Sequence, residues 1–481
     1  MPTSASLVYE KVAQLIERQI LSGALRSQDR IPSIREMCRT AGVSASTVVQ
    51  AYLRLESAGL IEARARSGFY VRPICSEGLR SPREHRSRSM RPRSVAGEVL
   101  DTSIEAMRRV DVLPLSGAVS APVFYPNRRL SQLTREVLRD YPLHAGEFVL
   151  PPGDLELRRQ IAKRMTLAGS PTDPDEVVIT SGALDAITLS LRVLCRSGDT
   201  VLVESPTFFG ILQAIKYAGL KVIEVPNRAG TGIDVESVRR AIRATKVAAA
   251  VLMPTFNNPT GSLTCIDNKR TLVKVLCGMG IPIIEDDVCG DLYFGLHRPP
   301  SLRSFDESGL VVCCGSISKT VALGFRIGWA VSSQFHSDVG RAKFFSSVAC
   351  PTIQQKVIAR YFASGGYERH LRQLRQTIAA NAGRMLDAIA RHFPNDTHVA
   401  RPAGGMVVWV ELPRGIDGIE LFRTALANQI GIYPGVVFSA TADYRNYIRL
   451  NCGLEWTPAV DRAIERLGKA VTGQECSDAR T

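Results

Sequence analysis

Apolar residues at Val8, Val12, Leu15, Ile16 and Ile20 recur at helical spacing, which predicts a helix over residues 7–21 with one buried face. The stretch SGALRSQDRIP breaks it. Ser33 stands three residues before Glu36, and S-x-x-E is the mark of a capping box, so a short second helix carrying Ile34, Met37 and Cys38 starts there. AGVS turns the chain. Ser44 then caps a third helix, with Val48, Ala51, Tyr52 and Leu55 on its inner face. GLIEARARSGFYVR reads as two short strands around a turn at Ser67-Gly68.

The pattern changes twice after that. Residues 73–112 open with PICSEGLRSPREHRSRSMRPRSVAG, rich in Arg, Ser and Pro and almost free of periodic apolar positions. That composition predicts a flexible tether, followed by a short helix over 98–110. From Leu113 onward, short β-branched runs alternate with amphipathic stretches: EVVIT, TVLVE, KVIEV, AAAVLM, IPIIEDD and LVVCCGS against segments such as LDAITLSLRVL. The alternation predicts an α/β body, a mostly parallel sheet with flanking helices. Ligands of such sheets sit beyond the carboxyl ends of the strands. The residues there are Ser181 to Leu184, Phe208, Asn258, Asp286 and Lys319.

With 481 residues the chain has room for two or more domains. The net charge of +14 is uneven: residues 1–72 hold ten Lys/Arg against six Asp/Glu, and residues 73–97 hold six Arg against two Glu. A basic end of this kind suits either a polyanion partner or a merely solvated tail. Eleven cysteines without a CxxC pair and seven histidines without HxxxH spacing point away from a disulfide framework and from a zinc site. No apolar run reaches the length of a membrane span and no secretory signal opens the chain, so a cytoplasmic location is expected.

Helix, helix, turn, helix and hairpin make a winged helix-turn-helix, whose third helix enters a major groove by its N-terminal residues. The candidates for DNA contact are Ser33 and Arg35 at the second helix, Ser44, Ser46 and Thr47 at the third, and Arg64, Arg66 and Gly68 in the wing. Arg35 is placed to clamp a phosphate, and Gly68 lets the backbone approach DNA. A small helical interaction domain is the alternative.

The strand-end residues also form a chemical set. An amine such as that of Lys319 condenses with an aldehyde. A carboxylate such as Asp286 keeps a pyridine nitrogen protonated. Asn258 can hydrogen-bond a phenolate oxygen and Phe208 can stack on a flat ring. A helix N-terminus with two serines and an arginine holds a phosphate. Those are the demands of pyridoxal 5′-phosphate. Singly each residue has an ordinary reading: a loop lysine, a helix cap, a turn.

RIPSIREMCRTAGVSASTVVQAYLRLESAGLIEARARSGFYV resembles the DNA-binding domain of the GntR family of bacterial regulators over residues 7–72. Ala45 replaces the usual basic residue, and Ser27-Gln28-Asp29 the usual Pro-Gly-Asp. Residues 113–475 resemble fold-type I, class I aminotransferases, through TSGALDAI, ESPTFFG, NNPTG, IIEDD, SISKTVALGFRIGW and YIRLN. That resemblance implies a smaller C-terminal domain beside the main sheet and assigns roles by position. Lys319 would hold pyridoxal phosphate as an internal aldimine and Asp286 would partner the ring nitrogen. Asn258 would face the 3′-oxygen and Phe208 would stack on the ring. Ser316, Ser318 and Arg326 would hold the phosphate, with Ala183 and Leu184 contributing backbone. Arg449 would grip the carboxylate of an amino acid effector. Cys289 stands where the family has a tyrosine, and GGM at 404–406 replaces GGY or GGF. Head and body together resemble the MocR subfamily. The resemblance implies a homodimeric, possibly head-to-tail, DNA-binding regulator that senses pyridoxal phosphate, an amino acid or an amine at operator DNA; an aminotransferase carrying a DNA-binding head is the alternative.

Overall fold

The structure, a computed structural model, describes residues 8–21, 24–25, 28–57, 60–64, 67–71, 79–83, 95–141, 146–228 and 231–478. The head comprises α1 (Val8–Leu21), α2 (Ile34–Ala41), α3 (Ala45–Ser57) and an antiparallel wing of β1 (Ile61–Arg64) and β2 (Gly68–Val71). Its core is Val12, Ala13, Ile16 and Ile20 of α1 against Met37, Val48, Ala51, Tyr52 and Leu55, closed by Ile61 and Val71 of the wing. Val8 and Leu15 are instead exposed, because the i, i+4, i+8 stripe through Val12, Ile16 and Ile20 already fills the buried face. The capping box is formed in both directions: Glu36 N–H donates to Ser33 Oγ at 3.3 Å, and Ser33 N–H to Glu36 Oε2 at 2.7 Å. The wing turns one residue earlier than the sequence pattern suggests. Gly68 already belongs to β2, paired with Arg64, with φ of +105° that a side chain would strain.

Leu79–Arg83 lies on the body: Val399 N–H donates to Arg80 O at 2.8 Å, and Arg83 N–H to Glu411 Oε2 at 2.6 Å. The helix that follows is α4 (Val95–Ala106), and Val110 beyond it is fully exposed. Then come β3 (Leu113–Pro114), α5 (Asn127–Asp140) and α6 (Leu155–Leu167). The main sheet is built from β4 (Val177–Thr180), α7 (Ala183–Leu194), β5 (Thr200–Ser205), α8 (Phe209–Tyr217), β6 (Lys221–Arg228), β7 (Gly232–Ile233), α9 (Val235–Ala244), β8 (Ala249–Leu252), α10 (Ile266–Cys277), β9 (Ile283–Asp286), β10 (Val311–Ser316) and β11 (Gly328–Val331). Strand order is β4-β11-β10-β9-β8-β5-β6-β7. Six of these strands run one way; β11 and the edge strand β7 oppose them.

The six expected strands are all present. β11 is the insertion that composition alone did not announce. Its first residue, Gly328, passes so close to Gly182 that a Cβ would lie 2.5 Å from the Gly182 carbonyl carbon. Helices α11 (His336–Ser347), α12 (Thr352–Ala363) and the long α13 (Gly366–His392) lead to the smaller domain. That domain has β12 (His398–Val399), β13 (Val407–Glu411), α14 (Gly418–Ala427), β14 (Ile430–Gly431), β15 (Tyr433–Pro434), β16 (Tyr447–Asn451) and α15 (Pro458–Asp478). Its four-stranded sheet runs β12-β13-β16-β15, while β14 pairs with β3. No described helix is long and apolar enough to cross a membrane.

Ser33→Ala removes one half of the capping box and is expected to weaken α2 by about 1 kcal/mol. Hydrogen exchange of the α2 amides in the full-length protein should then quicken about fivefold, with the body amides unchanged.

Candidate functional site

The candidate residues of the head that the structure describes lie at the starts of α2 and α3 and in the wing. Ser44 and Ser46 are exposed at the N-terminus of α3, and Thr47 is half-buried. Ser44 Oγ caps the helix, accepting from Thr47 N–H at 3.3 Å, and lies 2.9 Å from Ser46 Oγ and 2.8 Å from Thr47 Oγ1. Arg35 is exposed at the start of α2. Ser33 is occupied by its capping role. Arg64 is also engaged: its Nε donates to Glu62 Oε1 at 2.8 Å, its Nη2 to Gln28, and its guanidinium lies 4.4 Å from the centroid of the Tyr70 ring. Arg66 lies outside the described residues. Sequence reasoning missed Arg30, an exposed arginine whose Nε would be 3.3 Å from a Cβ at Gly68, so it covers the face of the wing glycine. Its signal was its place opposite the wing, which only the bridge to Tyr70 reveals.

In the body, all nine residues expected around a cofactor line one cavity of about 200 Å3. Lys319 follows β10, and its Nζ donates to Ala118 O at 2.6 Å. Burial depresses its pKa; the Cys289 thiol and Asp286 oppose that, while the cations Arg449 and Arg326 add to it. Asp286 ends β9 and is 3% exposed. Burial pushes its carboxyl up to about 6, against the Val288 N–H, which donates to Oδ1 at 3.1 Å, and the Lys319 charge.

At the other end of the cavity Gly182 caps α7 with φ of +107°. A Cβ there would meet Arg326 Nη2 at 2.6 Å, so the glycine is what lets Arg326 reach across the helix N-terminus. Arg326 Nη2 donates to Ser181 O at 2.6 Å and its Nη1 lies 3.4 Å from Ser318 Oγ. Ser318 N–H in turn donates to Ser316 Oγ at 3.3 Å. Free N–H groups of the first α7 turn, two hydroxyls and a guanidinium make an anion cradle.

Arg449, in the middle of β16, is 1% exposed and stands behind the cavity wall. Its Nη1 donates to Asn258 Oδ1 at 2.6 Å and its Nη2 to Ser116 O. The rings of Tyr433 and Phe438 flank it at 4.8 and 4.9 Å. Its Nε has no hydrogen-bond partner among the described residues, and burial lowers its pKa to about 10. A buried guanidinium bonded only to neutral oxygens is suited to a carboxylate.

Among the other lining residues, Met253 and Phe256 gave no signal in the sequence, whereas Cys289 and Met406 stood out there as departures from the family pattern. Met253, Phe256 and Cys289 form a small apolar cluster on the wall between Asn258 and Asp286. Phe256 is held at φ of +54° and is 1% exposed. The Cys289 thiol is pushed up to about 12 by burial, so it is neutral. Tyr293 does not take the vacated tyrosine position: it bridges to Gly404, and its ring lies 4.2 Å from the Arg375 guanidinium. Met406 of GGM reaches the cavity. Among the described residues no group of acids, histidines and cysteines is placed to hold a metal ion. The donor set fits pyridoxal phosphate: a buried amine, a carboxylate across from it, an anion cradle and an aromatic ring in one cavity.

Two family profiles match the chain: "Bacterial regulatory proteins, gntR family" over residues 8–71 and "Aminotransferase class I and II" over residues 145–467. The uncharacterized HTH-type transcriptional regulator YdcR of Escherichia coli is 33% identical over 464 residues, 96% of this chain and 98% of that protein. The E. coli regulator YjiR is 34% identical, over 96% of this chain and 98% of that protein. Among solved structures, LysN, the α-aminoadipate aminotransferase of Thermus thermophilus complexed with N-(5′-phosphopyridoxyl)-L-leucine, superposes with a TM-score of 0.74 at 28% identity, over 79% of this chain and 97% of that one.

Asp286→Asn should stabilise the cofactor-free protein while weakening cofactor binding. The folded pKa is raised, so the ionised carboxylate opposes folding above pH ~6, and the opposition fades as pH falls towards ~4. Chemical denaturation of stripped protein should show a gain of at most about 3 kcal/mol at neutral pH that vanishes near pH ~4.

Proposed function

The chain belongs to the gntR family of bacterial transcriptional regulators, with an aminotransferase class I and II body; on that premise we propose that it holds pyridoxal 5′-phosphate covalently through Lys319 and reads an amino acid or amine with it. The observation that carries this reading is the meeting of Lys319, Asp286 and the Ser316–Ser318–Arg326 trio in one cavity, in a chain that also bears a helix-turn-helix head. The domains are then 1–72 for DNA, 73–112 as linker and 113–475 for cofactor and effector.

When bound, the group supplies an aldehyde carbon and an electron-withdrawing ring. Lys319 is prepared for it, because an amine is a nucleophile only when neutral and burial favours that form. Asp286 would keep a proton on the ring nitrogen. Asn258 accepts from Arg449 through Oδ1, which leaves its Nδ2 to donate to the phenolic oxygen. Phe208 would stack on the ring. Ser316, Ser318, Arg326 and the Ala183 and Leu184 backbone would hold the phosphate. Arg449 would exchange its bond to Asn258 or Ser116 for an effector carboxylate. At the head, Arg35, Ser44, Ser46 and Thr47, with Arg64, Arg66 and Gly68 of the wing and Ser33 beside them, would face operator DNA. A homodimer would offer two heads to two half-sites.

An active aminotransferase with a DNA-binding head is the second reading, supported by the 30% identity over 79% of the chain to the 2-aminoadipate transaminase of Thermus thermophilus. Sustained turnover of amino acids with 2-oxoglutarate at ordinary enzyme rates would favour it.

Lys319→Ala should abolish the borohydride-fixed adduct, read by mass spectrometry, and any response to effector. Its DNA affinity, measured beside it on the DNA upstream of its own gene, should stay within about twofold, as distant independent sites allow. Loss of all DNA binding by folded mutant protein would contradict the separation of roles.

Arg35→Ala should weaken binding to every duplex alike and reduce the slope of log affinity against log salt by about one, the mark of one lost phosphate contact. A change in base preference at constant slope would make Arg35 a base reader instead.

A further inference from the structure

The segment that leaves the cavity at Asp286 runs on to the DNA-binding head. At its base Asp287 pairs with Arg298, whose Nε also donates to Asp291 Oδ1 at 2.9 Å. Asp291 is held a second time, by Arg164 Nη2 at 2.9 Å and by the Tyr367 hydroxyl at 3.0 Å. Cys289 faces the cavity between these points. Further out, Gly405 N–H donates to Leu292 O at 2.9 Å and Phe294 N–H to Ala403 O at 3.1 Å, which ties the segment to the stretch carrying Met406. Residues 287–298 therefore form an excursion clamped at its base and fastened along one side.

Its tip is Gly295, Leu296 and His297, and the tip touches the head. Leu296 packs against the head core. Its N–H donates to the Glu17 carboxylate of α1. Gly295 passes so close that a Cβ would be 3.4 Å from Glu17 Oε1. Arg54 Nη2, on α3, lies 3.0 and 3.1 Å from the two ring nitrogens of His297, while its Nη1 donates to Glu10 Oε1 at 3.0 Å. The contact uses α1 and the C-terminal half of α3. Thr47 lies seven residues before Arg54, about 10 Å along the helix, so the groove-facing end of α3 is left clear.

We propose that residues 287–298 couple the cofactor cavity to the head: the tip is the docking site for this chain's own DNA-binding domain, and a ligand seated against Asp286 and Cys289 steadies the segment and holds the head docked. The coupling rests on the cofactor reading given above; the docking does not. The chemistry suits a reversible latch. Among the described residues, one leucine, one backbone hydrogen bond and one guanidinium–imidazole contact make a small interface that modest changes in the segment can open or close. The base is the opposite case, a buried double ion pair that transmits displacement rather than absorbing it. A docked head has a fixed orientation relative to the body, which a tether alone does not confer.

The test uses the full-length protein, stripped of or loaded with pyridoxal phosphate, and follows hydrogen exchange of α1. In the wild type, loading should slow exchange of the amides around Glu17 about fivefold or more, within the range of ordinary coupling between sites. Leu296→Asp should make them exchange quickly and equally in both states, with the absorbance band of bound pyridoxal phosphate intact as proof that the body is folded. Leu296→Ala, the milder change, should fall between the two. Equal α1 exchange in loaded wild type and loaded Leu296→Asp overturns the docking. Protection that is lost in the variant but does not respond to loading in the wild type overturns the coupling alone. A wild type that takes up no pyridoxal phosphate overturns the cofactor reading, and the coupling with it.

Discussion

The body is organised by one constraint: an amine, a carboxylate and a guanidinium are buried around the same cavity without neutralising one another. Lys319 donates to a peptide carbonyl, Asp286 accepts from a peptide N–H, and Arg449 donates to an amide and a carbonyl. Each removal of charge from water is costly unless an opposite charge answers it. The fold enforces the separation by origin. Asp286 ends β9, Lys319 follows β10, and Arg449 lies within the other domain on β16. Strands locked in register hold these groups where relaxation would otherwise bring them together. The pKa shifts all have the same source, burial, and all run towards the neutral form. On the cofactor reading, pyridoxal phosphate would answer the amine, the carboxylate and the anion cradle, and an effector carboxylate would answer Arg449, so the cost of the arrangement by itself would become affinity for the two together.

The stretch from Leu115 to Ala121 shows how head and cavity share one chain. Its carbonyls accept from both domains: Leu115 O from Asn451 N–H, Ser116 O from Arg449, Ala118 O from Lys319, and Val119 O from Asn451 Nδ2. Ser120 Oγ donates back to Lys319 O. Three consecutive carbonyls of the lysine turn are pinned in this way, since Tyr125 donates to Ser318 O and His370 Nε2 lies 2.6 Å from Thr320 O. The lysine thus sits on a backbone fixed from three sides, while the chain that fixes it follows directly from α4 and the linker. On the cofactor reading, an adduct at the Lys319 amine would take donor protons from its bond to Ala118 O, within this same stretch.

What could be read in advance followed from local rules. The capping box at Ser33 and Glu36, the inner face of α3 and the β-branched runs of six strands are properties of a few adjacent residues, and they folded as their pattern required. Ala183, Leu184, Phe208, Asn258, Asp286 and Lys319 were legible because strand ends in a parallel sheet converge, whereas Ser316, Ser318 and Arg326 were legible only through the family resemblance. What escaped depends on contacts far apart in sequence. β11 exists because Gly328 and Gly182 allow two backbones to touch. Phe256 lines the cavity in a place that Gly404, some 150 residues further along, leaves open for its ring. Leu296 reads as an unremarkable loop leucine, and only its partner Glu17, far back in the chain on α1, makes it a contact. Arg449 was assigned by resemblance to a carboxylate; that its guanidinium would be sealed between Tyr433 and Phe438 was not visible in YIRLN.

The apolar patch of Met253, Phe256 and Cys289 bears on whether such a site turns substrate over or only responds to it. A phenol at position 289 would donate a strong hydrogen bond to the cofactor's phenolic oxygen and help set where the proton of the lysine adduct resides. A thiol is a far weaker donor. This one is neutral and packed among apolar side chains, and Tyr293, the aromatic nearest in sequence, packs against that cluster beneath Arg375 without lining the cavity. On the cofactor reading, Asn258 Nδ2 is then the one side-chain donor of the expected set left at that oxygen. On that reading, binding of an amino acid needs the cofactor's aldehyde, the cradle that would hold its phosphate, and Arg449; the chain supplies the cradle and the arginine. Repeated proton transfer needs finer control of basicity, and on the cofactor reading a thiol at position 289 would supply less of it than a phenol. On the regulator reading the exchange costs nothing, because a sensor reports binding and need not release a product.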